Sequence, residues 1–308
     1  MRAVRFHEYG PPEVLRYEEV ADPSPGEGEV LVRVAAAGIN FSDVQMRAGG
    51  LKAWMPDLPL PFAPGHEVVG TVAGTDRRVL AQLPAGGGYA ELVAVPEAAL
   101  LPLPEKVGDH EALALLTQGT VAAGLIDKAR IAPGETVLVE AAAGGVGSMA
   151  VQLAKRAGAR VVAGGRGERD AAVARRLGAD EFVDLSRPDG DPGTVQVVLE
   201  SVGGAVTARA LEHLEPTVGR MVLYGNISGE PHQIDTALVY QRALSVLAFA
   251  TALMPPERIA PFRELAFELA AAGELAAVVG SVLPLSEVAA AHRAFEEGGT
   301  SGKTVLVP

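Results

Sequence analysis

The sequence predicts an α/β protein in which a β-rich part is followed by a doubly wound parallel sheet. Over roughly the first hundred residues, short runs of alternating apolar and β-branched residues are separated by Gly and Pro, which is typical of strands joined by turns. From residue 136 onwards, short apolar runs alternate with helical patterns, which is typical of βαβ units. A glycine-rich segment at 142–147 lies between one such strand and the next helix.

Each element follows from its local pattern, taken in chain order. The predicted strands of the β-rich part are residues 29–34, 67–72, 78–83 and 89–95. A helical pattern over 112–128 ends before Pro133 and Gly134. The later predicted strands are 136–140, 160–163, 181–185, 195–199, 220–224 and 304–307. The later predicted helices are 148–157, 171–177, 261–272 and 285–297.

Composition limits the classes of function. The chain has 308 residues, a formal net charge of −12 and no cysteine. Its length suggests about two domains, and the lack of cysteine excludes disulfides, thiolate catalysis and cysteine-ligated zinc. No cluster of Lys and Arg forms the basic stripe of a nucleic-acid binder. No apolar run could span a bilayer and residues 1–6 do not begin a signal peptide, so we expect a cytoplasmic protein without a membrane partner.

The segment 142–147 is a variant of the Gly-x-Gly-x-x-Gly dinucleotide fingerprint, with Ala at its first position. The second glycine lets the backbone approach a pyrophosphate, and the third lets the helix pack closely on the strand. The exposed N–H groups and the helix dipole then favour a diphosphate. The predicted cofactor-binding residues are Ala143, Gly144, Gly145, Val146 and Gly147. The alternative is a tight strand-to-helix turn with no ligand.

The end of the next strand favours NADPH over NADH. NAD-preferring folds place an acid about 20 residues after the loop to bind the ribose 2′-hydroxyl. Here that position falls near Gly165, and Arg166 follows it. A guanidinium suits a 2′-phosphate because it offers several donors in a fixed geometry. Arg169 is a second candidate, and the alternative is that Arg166 is a solvated surface arginine.

Two further loops follow predicted strands of the parallel sheet. Ligands of a doubly wound sheet bind at the carboxyl ends of its strands. These loops therefore add candidate cofactor contacts at Ser201, Val202, Gly225, Asn226 and Ile227.

Several segments occur in a characteristic order: Gly38-Ile39-Asn40-Phe41-Ser42-Asp43, Gly65-His66-Glu67, Gly88-Tyr89-Ala90-Glu91, the loop ending at Gly147, and Gly302-Lys303-Thr304-Val305-Leu306. In these segments the chain resembles the zinc-free quinone oxidoreductases of zeta-crystallin type, within the medium-chain dehydrogenase/reductase family. The resemblance implies a GroES-like catalytic domain made of residues 1–112 and 248–308. It implies a Rossmann cofactor domain at 113–247, inserted between them.

The resemblance also implies roles for individual residues. Asn40 would lie beside the nicotinamide, with Gln118 as the second candidate catalytic donor. Thr120 belongs to the same cofactor region, and Lys303 would approach the pyrophosphate. Zinc-dependent relatives carry Cys where this chain has Asn40, so we expect no metal and interpret His66 as a packed or hydrogen-bonded histidine.

These features predict hydride transfer from NADPH to a small conjugated acceptor, a quinone or an enone. The oxyanion that develops needs amide or hydroxyl donors, since no metal is expected. The residues indicate no general acid, so water is the expected proton source. Gln45 and Leu51 stand where quinone reductases often carry tyrosine, which leaves the acceptor open. One alternative is an enoyl-thioester reductase of the same superfamily, and another is a non-catalytic NADPH-binding structural protein.

The resemblance finally implies a homodimer, because family members commonly pair through an edge of the cofactor-domain sheet. The segment 244–249 is the corresponding strand, and it is apolar and rich in β-formers. An open edge of this kind invites nonspecific pairing, which a two-fold copy would prevent. We expect Val246 at the centre of that interface. The alternative is that a loop or helix covers the edge.

Overall fold

The structure is a computed structural model, and it describes residues 1–52, 55, 58–187 and 189–308. Its strands are β1 (Arg2–Phe6), β2 (Leu15–Glu19), β3 (Glu29–Ile39), β4 (Glu67–Val72), β5 (Arg78–Gln82), β6 (Leu92–Pro96), β7 (Leu100–Pro102), β8 (Thr136–Val139), β9 (Arg160–Gly165), β10 (Glu181–Asp184), β11 (Val197–Glu200), β12 (Arg220–Leu223), β13 (Ser245–Ala248), β14 (Val279–Pro284) and β15 (Lys303–Val307). Its α-helices are α1 (Phe41–Ala48), α2 (Asp109–Ala114), α3 (Thr120–Ala129), α4 (Gly145–Arg156), α5 (Gly167–Arg176), α6 (Gly204–Glu212), α7 (Thr236–Gln241), α8 (Pro256–Ala271) and α9 (Val288–Glu296). Among the described residues, no helix is long and apolar enough to cross a membrane.

The chain divides into two compact units. Unit 1 comprises Met1–Leu116 and Val278–Pro308, and unit 2 comprises Thr117–Ala277. The first predicted domain break, after residue 112, lies close to this division. The second break lies at Ala277 rather than at residue 247, because α8 packs against α3 and the ring of Phe249 lies against Gly124, both within unit 2.

Unit 1 is mainly antiparallel. Its larger sheet has the order β14-β15-β3-β4-β5-β7, with β6 paired to β3, and β1 pairs with β2 in a separate ribbon. The C-terminal strand β15 runs antiparallel to β3, with Thr304 opposite Ile39. This pairing brings the last residues of the chain beside the end of β3, where Asn40 follows.

Unit 2 contains a sheet in which every pairing is parallel, with the order β10-β9-β8-β11-β12-β13. Strand order reverses between β8 and β11, which is the switch point where a doubly wound sheet binds its ligand. The predicted fold class, a GroES-like β-rich domain with a Rossmann-type parallel sheet, is confirmed.

Three of the differences between predicted and observed bounds have a physical explanation. The single helix predicted over 112–128 is broken, since a π-helical turn at Leu115–Gly119 separates α2 from α3. The strand predicted over 89–95 forms only from Leu92, because the Tyr89 N–H bonds instead to the Pro64 carbonyl at 3.1 Å. Helix α8 begins at Pro256 rather than at residue 261, since a proline at the first helical position loses no hydrogen bond.

Candidate active site

Asp43 ties together the two segments of unit 1 that carry the predicted site residues. One carboxylate oxygen accepts the backbone N–H of Asn40 at 2.8 Å, at the start of α1. The other accepts the N–H of Gly65 at 3.1 Å and a hydrogen bond from His66 Nδ1 at 2.6 Å, just before β4. Asp43 is fully buried, so this carboxylate fixes Asn40 and His66 relative to each other.

The Asp43–His66 contact stabilises a charged pair. Burial alone would raise the pKa of Asp43, but the hydrogen bond and charge of His66 and the backbone N–H of Asn40 outweigh it, and the pKa lies below the ordinary value. Burial alone would lower the pKa of His66. The hydrogen bond and charge of Asp43, with the charge of Glu67, outweigh that effect and hold the pKa above its ordinary value.

Lys303 fixes the orientation of the Asn40 side chain. Its ammonium donates to Asn40 Oδ1 at 2.9 Å and forms a short ion pair with Glu67. An ammonium can only donate, so the atom facing it must be the amide oxygen, and the Asn40 NH₂ group becomes the end that can donate elsewhere. Gly38 makes room for this arrangement, because a Cβ there would collide with Glu67 and Lys303.

In this position Lys303 has a structural role that the sequence did not indicate. Its side chain is only 1% exposed, and it neutralises a fully buried Glu67. The expected approach of Lys303 to the pyrophosphate stays a prediction. The ion pair itself is the contact that the structure assigns to the lysine.

In unit 2, the predicted phosphate loop joins β8 to α4. Gly144 has an extended backbone at the helix N-cap, and its N–H bonds to the Ala141 carbonyl at 2.8 Å. A Cβ on Gly147 would collide with that same carbonyl, so the close helix-to-strand packing requires glycine there. The first turn of α4 contains no acidic residue, which leaves its N–H groups suited to an anion.

Gln118 lies directly against this loop. A Cβ added to Gly145 would come within 2.7 Å of the Gln118 Cγ. Thr120 follows as the first residue of α3, and both side chains are buried. The structure therefore brings Gln118 and the predicted loop residues together, while Ala143 and Val146 lie on either side of Gly144 and Gly145.

The end of β9 carries the residues predicted to select NADPH. Gly165 ends the strand, and Arg166 is exposed at the N-cap of α5 with its backbone N–H bonded to Asp170 at 2.9 Å. Among the described residues, no hydrogen bond or ion pair of the Arg166 guanidinium is found. Arg169, by contrast, is ion-paired with Asp170 at 3.1 Å. Arg166 is thus the better placed of the two arginines for an incoming phosphate.

The two other predicted loops meet at the carboxyl ends of β11 and β12. Ile227 donates its N–H to the Ser201 carbonyl at 2.9 Å, and Ser228 donates to Val202 at 3.0 Å. Gly203 has φ of 91°, and a Cβ there would collide with Asn226. Gly225 lies close to Ser201, since a Cβ on Gly225 would be 3.2 Å from the Ser201 Cβ.

Sequence reasoning missed a buried acidic pair beneath these loops. Glu140 follows the last residue of β8, and Glu200 ends the neighbouring strand β11; both are fully buried. Glu200 accepts from the Gly203 N–H at 2.7 Å and from the Thr207 hydroxyl at 3.1 Å, and its other oxygen lies 2.8 Å from His232 Nδ1. Burial, followed by the charge of Glu200, raises the pKa of Glu140 well above its ordinary value and so favours its protonated form.

These donors do not fit a zinc site. Glu67 is held in an ion pair by Lys303, the Asn40 amide oxygen accepts from the same ammonium, and His66 Nδ1 is directed at Asp43. Across the residues that the structure describes, no group of three His, Asp or Glu could hold a metal ion.

Comparison with known proteins agrees with this architecture. The alcohol dehydrogenase GroES-like domain family matches residues 26–86, and the zinc-binding dehydrogenase family matches residues 177–306. A quinone oxidoreductase of Pseudomonas aeruginosa is 31% identical over 100% of this chain and 99% of its own length. A 2-haloacrylate reductase of a Burkholderia species is also 31% identical, over 99% of this chain and 98% of its own length.

Solved structures give the same result. The quinone oxidoreductase from Thermus thermophilus, whose structure is known alone and with NADPH, superposes with a TM-score of 0.83 at 38% identity, and all of both chains is covered. The chain belongs to the medium-chain dehydrogenase/reductase family. Within that family it falls in the quinone oxidoreductase branch.

Proposed function

We propose that this protein is an NADPH-dependent oxidoreductase that delivers hydride to a quinone or an enone without a metal ion. The main support for this proposal is the set of loops at the switch point of the parallel sheet. They combine an anion-binding helix N-terminus at Gly144 and Gly145 with the exposed guanidinium of Arg166, which has no ion-pair partner among the described residues. Relatives with the same fold include a quinone oxidoreductase crystallised with NADPH.

The residues of unit 2 suit each part of the cofactor. The N–H groups at the start of α4 would hold the pyrophosphate, and Arg166 would contact the 2′-phosphate. The loops after β11 and β12, with Thr120, would line the remainder of the site. When bound, the cofactor supplies the hydride, and the protein supplies position and a polar environment.

Asn40 and Gln118 are the donors that we assign to the acceptor. An acceptor that takes up hydride develops negative charge on oxygen, and a prepositioned N–H donor stabilises that charge. The Asn40 amide is held by Lys303 with its oxygen occupied, which directs its NH₂ group toward donation. A fixed donor is more effective than a mobile one because it needs no reorganisation during the reaction.

The acceptor belongs to the class of conjugated carbonyl compounds. The quinone oxidoreductase and 2-haloacrylate reductase relatives act on compounds in which a carbon–carbon double bond is conjugated to a carbonyl or carboxyl group. Donors such as Asn40 stabilise the oxyanion in either case. We therefore propose a small conjugated acceptor.

We further propose a homodimer that forms through β13. This strand ends the parallel sheet, and within the described residues it pairs with β12 alone. Its central Val246 is half-buried. A second copy across a two-fold axis would continue the sheet and remove the open edge.

The direct test of function is consumption of NADPH and NADH by the purified chain with a quinone, an enone and an enoyl-thioester. The proposal expects NADPH to be consumed with the quinone or the enone and NADH to be a poor substitute. Consumption with the enoyl-thioester alone would favour the thioester reductase. NADPH binding without consumption in any mixture would favour a non-catalytic binding protein.

A further inference from the structure

We propose that His66 is a catalytic acid, which protonates the reduced acceptor through Nε2, and that Asp43 is its positioning residue. The inference rests on the proposed function, because it concerns the proton that accompanies hydride transfer to a conjugated acceptor. It differs from the sequence-based expectation, in which water supplies that proton.

The geometry assigns different tasks to the two nitrogens of the imidazole. Nδ1 lies 2.6 Å from Asp43 Oδ1, and an ionised carboxylate can only accept, so Nδ1 carries a proton. Nε2 is therefore the nitrogen that can exchange a proton. The side chain is 20% exposed whereas Asp43 is fully buried, and in the described part of the chain no hydrogen bond to Nε2 is found.

His66 is also fixed beside the residue proposed to bind the acceptor. The carboxylate of Asp43 that holds the imidazole accepts, through its other oxygen, the backbone N–H of Asn40 at 2.8 Å. A donor for the oxyanion and a donor of a proton are thus attached to one buried carboxylate. Proton transfer needs this kind of fixed placement within hydrogen-bond reach of the substrate.

The charges around His66 favour its protonated form. Asp43 faces it from α1, and Glu67 from β4 is already neutralised by Lys303 of β15. Tyr89 and His292 lie behind Asp43, and burial lowers the pKa of His292 to about 4, so His292 is neutral. Arg47, which acts on His292, is paired with Glu296. Of these groups, only the carboxylate of Asp43 has a charge that no other group compensates. The positive charge of a protonated His66 would compensate it.

When bound, NADPH would supply one hydride, hence two electrons and one hydrogen nucleus, to a carbon of an enone, which would leave an enolate. The Nε2–H bond of the His66 imidazolium then breaks, and its proton forms a new bond with the enolate. Neutral imidazole takes a proton from water, which restores the starting state. The reduced acceptor has gained two hydrogens, and the net proton comes from solvent.

Nuclear magnetic resonance of the whole chain tests the charge state without cofactor or substrate. Histidine ¹⁵N shifts are followed through a pH titration, and His66→Asn identifies the His66 signals by their loss. We expect His66 to titrate above the ordinary histidine value of about 6.5, and Asp43→Asn to bring it down. A neutral His66 at pH 6.5 in the wild type would overturn the proposal.

Steady-state kinetics with an enone then test whether His66 supplies the proton. His66→Asn and His66→Gln should lower kcat by about 100-fold or more and leave the Kd of NADPH within about twofold. Wild-type kcat should fall as pH rises through the His66 titration, because the acid form is consumed, and both variants should lose that dependence. Retained NADPH affinity shows that the variants are folded.

His7 provides a matched control, since it also pairs with a carboxylate, Glu18 at 3.1 Å, but on the surface of unit 1. His7→Asn should leave kcat and its pH profile unchanged. If the wild type is active and both His66 variants keep its kcat and pH profile, the proposed role of His66 is wrong. The proposed function would then still stand. A wild type that consumes no NADPH with any conjugated acceptor overturns the proposed function, whatever the titration shows.

Discussion

The candidate sites of the two units consist of different groups, main-chain groups in unit 2 and side chains in unit 1. In unit 2 the predicted phosphate loop is made of backbone, with glycine at 144, 145 and 147, where an added Cβ would come within 3.1 Å of protein atoms. In unit 1 the site is made of side chains that are held by two buried residues: Asp43 contacts three partners and Lys303 contacts two. A backbone site depends on local sequence and is lost when a side chain fills it. A side-chain network depends on distant partners and fails when one of them is removed.

The largest effect should come from filling the backbone site. Gly144→Val adds a branched side chain 3.1 Å from the Ala141 carbonyl, at the N-terminus of α4 where the diphosphate must approach. We expect NADPH binding to become undetectable by calorimetry while the fold is kept. Gly26→Val is the control, because a Cβ there meets only the Glu29 side chain, at 3.4 Å. Unchanged affinity in Gly144→Val would show that the loop is only a turn.

The second prediction breaks the side-chain network. Lys303→Met leaves Glu67 buried and uncompensated, which should lower the free energy of unfolding by about 3–5 kcal/mol. Adding Glu67→Gln should restore much of the loss. Arg77→Met removes an exposed ion pair with Glu97 and should cost less than about 1 kcal/mol. If chemical denaturation shows that Lys303→Met and Arg77→Met lower the free energy of unfolding equally, the proposed network is wrong.

The third prediction concerns the unit 2 side chain that we propose contacts the 2′-phosphate. Arg166→Ala removes a charge-assisted contact with the 2′-phosphate, worth about 1.5–3 kcal/mol. The Kd of NADPH should rise roughly tenfold or more, and that of NADH should barely change. Arg169→Ala should have the smaller effect, because Arg169 is already paired with Asp170. The reverse order in titration calorimetry would move the assignment to Arg169.

The fourth prediction concerns the buried acid of unit 2. Burial and the charge of Glu200 raise the pKa of Glu140, so the folded chain retains a proton that the unfolded chain releases. The contribution of Glu140 to stability is therefore largest below the ordinary glutamate pKa and declines as pH rises toward the raised value, by about 1.4 kcal/mol per pH unit. Glu140→Gln should remove this decline. Parallel pH profiles of unfolding for the wild type and the variant would refute the raised pKa of Glu140.

The smallest effect is expected at the sheet edge. Val246→Pro removes one hydrogen bond from a β13 ladder shared with a second copy, worth about 0.5–1.5 kcal/mol. Light scattering should show a dimer for the wild type and a lower association constant for the variant. A wild type that scatters as one chain of 31.7 kDa at micromolar concentration would reject this assembly.

The same contrast explains what the sequence can predict. The phosphate loop occupies consecutive residues, so local patterns predict its glycines, its strand and its helix together. Asn40 and Lys303 lie 263 positions apart, and Asp43 and His66 lie 23 apart. Their contacts follow from the register of β3 against β15 and from the loop before β4, which local patterns do not contain. For this reason the sequence indicates only a cofactor contact for Lys303 and no general acid.

Transfer of a labelled hydride tests the central claim most directly. The purified chain is incubated with an enone and NADPH that carries deuterium at the transferable C4 position, and the product is analysed by mass spectrometry and NMR. We predict one deuterium bound to carbon in the enone that is reduced with labelled NADPH. With unlabelled NADPH in deuterated solvent, we predict none at that carbon. A reduced product without deuterium from NADPH, or no reduction of any conjugated acceptor, would contradict it.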